Sequence, residues 1–361
     1  MSVARRIVRL GLLLALLSIA VAVYLYRELE YPTTPPEGEE VTIFFPFGTS
    51  TKEIFRRLDA EGVVRPGWLA EVYYRVARSA TSLEAGEYRF ARPTPLSEAI
   101  SRMGRGDVVK HVIVVPEGLT AEETFELFWS RSISRPEAFR HAFVNPQLLT
   151  SMARGAPDLE GFLFPDTYVV TRSTSARQIV ETMLVNFRRH FTPEMRASAQ
   201  AIGLSERQAV TLASIVQKET SLDRELPLIA GVYWNRLRHA MRLQADPTVT
   251  YALKRDGKWT GTLYRSDYGY ASAFNTYLFE GLPPGPICNP GEDALRAAVA
   301  PARTEFLYFV ADGTGGHTFS RTFQEHLEAI SARRPTANQP KAAVPANPPK
   351  AADPHTRNSG R

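Results

Sequence analysis

Residues 205–221, SERQAVTLASIVQKETS, place a carboxylate where a helix would carry apolar side chains. Ser205 with Gln208 three residues on is a capping-box start. At about 100° per residue, Leu212 lies about 20° from Glu219, Ile215 about 40° and Val216 about 60°. Ser214, Gln217 and Lys218 then point away from that stripe. An unpaired carboxylate removed from water acquires a partner or a raised pKa. A carboxyl group still protonated near neutral pH is a general acid. The other arrangement open to Glu219 is a buried ion pair with Arg224 or Arg236, and helix geometry alone leaves both standing.

Further groups with chemistry sit in three other segments. LEGFLFPDTY (159–168) carries Glu160, Asp166 and Tyr168; RLQADPTVTY (242–251) carries Gln244, Asp246 and Thr248. SAFNTYLFEGLPPGP (272–286) adds Asn275, Thr276 and Tyr277. Amides, hydroxyls and aromatic faces mixed with a few carboxylates suit a sugar, although each aromatic is also an ordinary core residue. Glu160 and Asp166 equally suit a turn and capping role, and Asp246 suits an N-cap ahead of Pro247.

Other chemistries lack their residues. The seven histidines include no HExxH pair, so no metal is expected. Cys288 is the sole cysteine, which rules out an intramolecular disulfide and a cysteine zinc site. There is no GxSxG elbow, and Gly48-Thr49-Ser50-Thr51-Lys52 lacks the upstream glycine of a phosphate loop, so no cofactor is expected either. The net charge of +5 is carried by residues 333–361, which hold Arg333, Arg334, Lys341, Lys350, Arg357 and Arg361 against Asp353. Residues 1–332 are neutral overall, and nucleic acid is not an expected partner.

These groups must be positioned by a chain of 361 residues, 44% hydrophobic, long enough for two domains. Arg5, Arg6 and Arg9 precede the uncharged run LGLLLALLSIAVAVYLY (10–26), which predicts an N-in transmembrane anchor. Ala20-Val21-Ala22 also fits a signal-peptide cleavage pattern, and either reading exports the chain beyond residue 30. A Pro-rich spacer comes next. VTIFF (41–45), GEYRF (86–90) and VVKHVIVV (108–115) read as strands, and helices are expected to Leu58, over 68–78 and over 97–106, giving β-α-α-β-α-β. From Thr120 the pattern is mainly helical, with helices over 180–191, 205–219, 223–241, 246–253 and 292–300, and EFLYFVA (305–311) as a buried strand. Residues 259–291 form a long Tyr-, Gly- and Pro-rich irregular region of the kind that carries function. The Pro/Ala/Lys tail after 333 is expected to be disordered.

LEGFLFPDTY, ASIVQKET (213–220), LQADPTVTYAL (243–253) and FNTYLFEGLPPGPICNPG (274–291), in this order, closely resemble the YceG-like family, the endolytic murein transglycosylases (MltG). The resemblance runs from roughly residue 5 to 330. It implies an α+β chain: an anchor at 1–28, a spacer at 29–40, a LysM-like mixed α/β domain at 41–118, a mainly helical α+β catalytic domain at 119–332, and a tail at 333–361. Its Lys-Glu motif falls on Lys218-Glu219 and implies Glu219 as the catalytic acid. Gln217, Asn275 and Tyr277 are then expected to position substrate, with Thr276, Tyr168, Gln244, Glu160, Asp166 and Asp246 as further substrate contacts. The family commonly has Ser-Pro-Tyr-Asn-Thr-Tyr where this chain has Ser272-Ala273-Phe274-Asn275-Thr276-Tyr277. Implied partners are peptidoglycan strands, the inner membrane and peptidoglycan synthases such as penicillin-binding proteins, with the catalytic domain in the periplasm. A muramidase and a non-catalytic cell-wall-binding scaffold are the other functions compatible with the residues.

Overall fold

A computed structural model describes residues 3–30, 39–77, 82–144 and 157–332; the tail from 333 and most of the spacer lie outside the described residues. The fold is mixed α and β, helices joined by small two-stranded antiparallel ribbons. By packing, the chain divides into two compact units that interleave in sequence. One takes Met1–Pro116, Glu122–Asn145 and Asp166–Met183; the other takes Glu117–Ala121, Pro146–Pro165 and Leu184–Arg361. The family resemblance implies a boundary between folded domains after residue 118, and the packing units interleave across it. Such interleaving needs pairings between distant stretches, which local patterns do not encode.

The first unit begins with α1 (Val3–Glu30), whose stretch Ile7–Glu30 is long and apolar enough to cross a membrane, with a mean hydropathy of 2.4. The helix continues through Leu29 and Glu30, where the sequence suggests a spacer. Leu29 is buried in the core and Glu30 accepts from the Ser97 hydroxyl at 2.5 Å. β1 (Glu40–Phe45) pairs antiparallel with β2 (Gly86–Ala91), Val41 opposite Phe90 and Ile43 opposite Tyr88. Between them in sequence come α2 (Thr51–Ala60), capped by Ser50, and α3 (Gly67–Ala77); α4 (Leu96–Gly104) follows β2. Phe45, Phe55, Leu58, Tyr88, Phe90, Ile100 and Met103 fill the core they enclose. The expected order β-α-α-β-α-β is the one found.

β3 (His111–Val114) pairs with β4 (Thr167–Val170), a strand that sequence reading did not identify. Two short helices lie between them in the chain, α5 (Ala121–Trp129) and α6 (Pro136–Phe143), and Phe125 stacks on Phe139 at 4.9 Å. Tyr168, expected as a substrate contact, is buried on β4 and packs 6.4 Å from Phe128, a core aromatic of α5. Asp166 opens the ribbon, its side chain accepting from the Thr167 amide at 2.6 Å and its carbonyl from Val115 at 2.9 Å.

In the second unit the central element is α9 (Glu206–Glu219), preceded by α7 (Ala176–His190, shared with the first unit) and α8 (Pro193–Ala201) and followed by α10 (Leu226–Arg238), α11 (Asp246–Arg255) and α12 (Glu292–Val299). Ser205 and Gln208 form the expected capping box. The expectation of one apolar stripe on α9 fails: Ala209 through Val216 are all buried, Thr211 and Ser214 included. Neighbours α8, α10, α11 and α12 all pack on α9, and the polar residues face chain rather than water. The Ser214 hydroxyl accepts from Ile287 at 3.0 Å and donates to its own helix, tying the irregular region to α9.

Asn289 makes the second tie. Its side chain accepts from Gly161 and Leu163 at 3.0 and 3.1 Å and donates to Leu119 at 3.1 Å. Gly161 is required there: its φ is +87°, and a Cβ would lie 2.4 Å from Pro286. The chain ends its described part with the hairpin β5 (Tyr308–Ala311) and β6 (His317–Ser320), then α13 (Phe323–Ala332). The strand expected over 305–311 is shorter and only half-buried, because it pairs with β6 alone.

Candidate active site

Glu219 is the last residue of α9, and Thr220 turns out of the helix in an extended conformation. The half-buried Glu219 faces α10, where the Tyr233 hydroxyl donates to its Oε1. Crowding of the carboxyl by protein raises its pKa to about 7; Tyr233 opposes this, the nearby Asp246 adds to it, and Arg236 opposes it. Among the described residues no ion pair reaches Glu219. Arg236 is instead held by backbone carbonyls, donating to Leu307 and Leu243 at 2.7 Å each. Tyr233 is fully buried and its own pKa lies well above the usual phenol range, raised by burial and then by Glu219, so it remains a donor.

Asp246 is exposed at the first turn of α11, whose N-cap is Ala245. The capping role suggested by sequence is not the one found. Its carboxylate accepts from the Tyr277 hydroxyl at 2.6 Å and from the Tyr268 hydroxyl at 3.2 Å, and the two rings lie 4.6 Å apart. Burial, then Asp246, raises the Tyr277 pKa.

Asn275 and Thr276 lie behind these groups. Asn275 is fully buried, donating to the carbonyls of Tyr268 and Tyr270 at 3.0 and 2.8 Å and accepting from the Tyr277 amide at 2.9 Å. Its amide is used in folding the loop that brings Tyr268 and Tyr277 together. Thr276, also buried, accepts from the Ala245 amide at 3.0 Å and pairs with the Thr248 hydroxyl at 2.9 Å. Gln244 is exposed, at φ +50°, with its amide on the Thr276 carbonyl at 3.2 Å.

Two expected site residues are drawn into framework instead. Gln217 accepts from the Gly291 amide at 2.9 Å, fastening the end of the Pro-rich loop. Glu160 is buried, accepting from the Ala121 amide at 2.9 Å and the Tyr251 hydroxyl at 3.2 Å. The structure therefore brings together Glu219, Asp246 and Tyr277, with Asn275, Thr276 and Gln244 around them, and gives Gln217 and Glu160 other partners. Asp166 and Tyr168 belong to the ribbon of the first unit. Sequence reading missed Tyr233 and Tyr268. The signal for Tyr233 was its place on the helix after the Glu219 helix; nothing local marked Tyr268. Among the described residues no group of three His, Cys, Asp or Glu could hold a metal ion.

Chemically the site offers one proton on a carboxyl that is close to half-protonated at neutral pH, a phenol that orients it, and a second carboxylate stabilised by two phenols. That set can protonate a leaving group and take a proton back.

Comparison with known proteins agrees with the motifs. The model of the YceG-like family matches residues 43–332. The chain is 28% identical over 313 residues to an endolytic murein transglycosylase of Streptococcus pneumoniae, covering 79% of this chain and 56% of that protein. It therefore spans little more than half the streptococcal relative's length. It is 29% identical to an endolytic murein transglycosylase of Bacillus subtilis, covering 85% of this chain and 88% of that one. The crystal structure of a yceG-like protein from Listeria monocytogenes superposes with a TM-score of 0.50 at 30% identity, covering 81% of this chain and 99% of that one. The chain belongs to the YceG-like family.

Proposed function

We propose that the protein is an endolytic lytic transglycosylase that cuts the N-acetylmuramic acid to N-acetylglucosamine bond within peptidoglycan strands, with Glu219 as acid and then base. The carrying observation is the Glu219 carboxyl, with a pKa of about 7, held by Tyr233 and without an ion-pair partner among the described residues. Glu219 donates its proton to the glycosidic oxygen as the bond to the muramic C1 breaks. The N-acetyl group of the same sugar stabilises the positive charge, which removes the need for an enzyme nucleophile. The carboxylate then accepts the proton of that sugar's C6 hydroxyl as it attacks C1 and closes a 1,6-anhydro ring. Attack from within the same sugar competes well with water because the reacting groups are already held together. Tyr277 and Gln244 are suited to meet the sugar, and the loop at 281–291 to keep water out.

The names of the relatives support this activity, and the apolar helix α1 supports an anchor that tethers the enzyme to the inner membrane with residues after 30 in the periplasm. There it would meet nascent strands and terminate their growth beside peptidoglycan synthases, with residues 41–118, the LysM-like segment, holding the strand. A second reading has one observation in its favour: Asp246 lies close enough to influence Glu219, and a second carboxylate could activate water in a muramidase.

Full-length protein in detergent, incubated with purified uncrosslinked glycan strands and read by mass spectrometry, separates the readings. Anhydro-muramic ends, lighter by one water than reducing ends and absent with Glu219→Gln, are expected. Reducing ends would establish the muramidase, and intact strands that still bind would establish the scaffold.

A further inference from the structure

Behind Glu219 the contacts close into a ring. The Tyr233 hydroxyl binds Glu219, and the Tyr233 ring meets Phe309 edge-on at 5.7 Å. Phe309 in turn meets His317 edge-on at 5.3 Å. His317 contacts Glu225 twice, through Nδ1 at 2.7 Å to one carboxylate oxygen and through its backbone amide at 3.1 Å to the other. Glu225 also accepts from the hydroxyl of Thr220 at 3.5 Å, and Thr220 follows Glu219 in the chain. The Thr220 hydroxyl accepts from Leu222 at 3.0 Å, fixing the turn out of α9.

We propose that Glu225 and His317 are a positioning pair that holds the end of α9 against α10 and thereby aims the Glu219 carboxyl, an inference that rests on the reading of Glu219 as general acid. The pair is built at some cost. Glu225 and His317 are both about nine-tenths buried at the side chain, and a buried pair of this kind contributes little net stability compared with apolar residues of the same volume. Its geometry is nonetheless specified in detail. A Cβ at residue 316 would lie 2.7 Å from Glu225 Oε1, so Gly316 is what lets the carboxylate reach the hairpin. Asp312 accepts from Thr314 at 2.6 Å and Gly316 at 3.1 Å, shaping the turn that delivers His317. A carboxylate only accepts, so His317 Nδ1 carries the proton of their bond. The other charged groups acting on the pair and its neighbours are Arg224, Asp312 and Arg236. Glu225 and His317 are not catalytic residues in this scheme; they act through Thr220 and Tyr233.

The test uses full-length protein in detergent with His317→Ala, Glu225→Gln and His317→Asn, whose amide supplies an N–H in place of Nδ1. Two readouts are needed: kcat and KM on glycan strands, and titration of the Glu219 carboxyl by carbon-13 NMR, assigned with Glu219→Gln. His317→Ala and Glu225→Gln should lose roughly 10- to 100-fold in kcat with KM within about twofold. They should also raise the Glu219 midpoint, because the loosened Tyr233 bond no longer favours the carboxylate. His317→Asn should restore most of both. Folded His317→Ala protein with an unmoved Glu219 midpoint would overturn the proposal, whatever its kcat, as would a midpoint shift that His317→Asn leaves uncorrected. If wild-type protein does not cleave glycan, the catalytic reading fails, while the NMR titration still decides whether the pair positions Glu219.

Discussion

Glu219 and Glu225 stand on either side of the turn from α9 to α10, and their surroundings drive them in opposite directions. Both feel burial, which raises a carboxyl pKa. At Glu219 burial prevails, with only the Tyr233 hydroxyl and the Arg236 charge against it, and the pKa reaches about 7. At Glu225 the side chain and backbone of His317 donate to the carboxylate and outweigh burial, and the pKa falls below the ordinary value. The number and charge of donors thus decide which glutamate stores a proton and which stays ionised.

Glu219→Gln should produce the largest change, and in two directions. Cleavage should fall roughly 10²- to 10⁴-fold, the usual contribution of a positioned acid, as measured by release of anhydro ends. Stability should rise. A carboxyl whose pKa is raised by folding binds more protons in the native state between its unfolded value near 4.5 and its folded value near 7. Unfolding free energy therefore declines across that window as pH rises, by an amount on the order of 2 kcal/mol for a partly exposed group. The variant should show a flatter slope in denaturation series at pH 5 and pH 8 and be the more stable protein at pH 8. Equal stability of wild type and variant at pH 8 would mean that folding does not raise the pKa of Glu219. Glu225 should show the opposite sign: its stabilisation is present above its unfolded pKa and is lost as pH falls through the lower folded value.

Much of Glu219's setting was legible in the sequence, because a capping box and an apolar run are local. The choice between general acid and ion pair was not. It depended on Arg236 being engaged by the carbonyls of Leu243 and Leu307, and the second of these lies far along the chain. The loop around Asn275 was marked as functional by its composition. The division of labour within it, with Asn275 buried as a brace and Tyr277 turned to Asp246, came from three-dimensional packing. The burial of Tyr168 was hidden for the same reason: a lone aromatic has no local sign of being core, and its partner strand β3 is distant in sequence.

A finer effect separates the neighbours of Glu219. Tyr233→Phe removes a donor that favours the carboxylate, so the limb of the pH profile where activity falls with rising pH should move upward. Asp246→Asn removes a negative charge that favours the protonated form, so the same limb should move downward. Opposed shifts, measured on kcat/KM with glycan strands, would confirm that both groups act on one acid. Shifts of the same sign would break the assignment of Glu219 as the group being titrated.

The smallest effect on catalysis should come from Glu160→Gln, which sharpens the comparison from a third glutamate, buried like Glu225. Glu160 resembles Glu225 more than Glu219: it accepts from the Ala121 amide and the Tyr251 hydroxyl. Glutamine retains only one acceptor oxygen and turns an NH2 toward a group that also donates. That mismatch in a buried position should cost about 1–3 kcal/mol of stability, visible as a lowered denaturation midpoint. The pH limb set by Glu219 should stay where it is, because Asp246 and Arg236, not Glu160, are the charged residues acting on Glu219. A moved limb would instead mark Glu160 as a second titrating carboxylate of the reaction, and the muramidase would then have a candidate base besides Asp246.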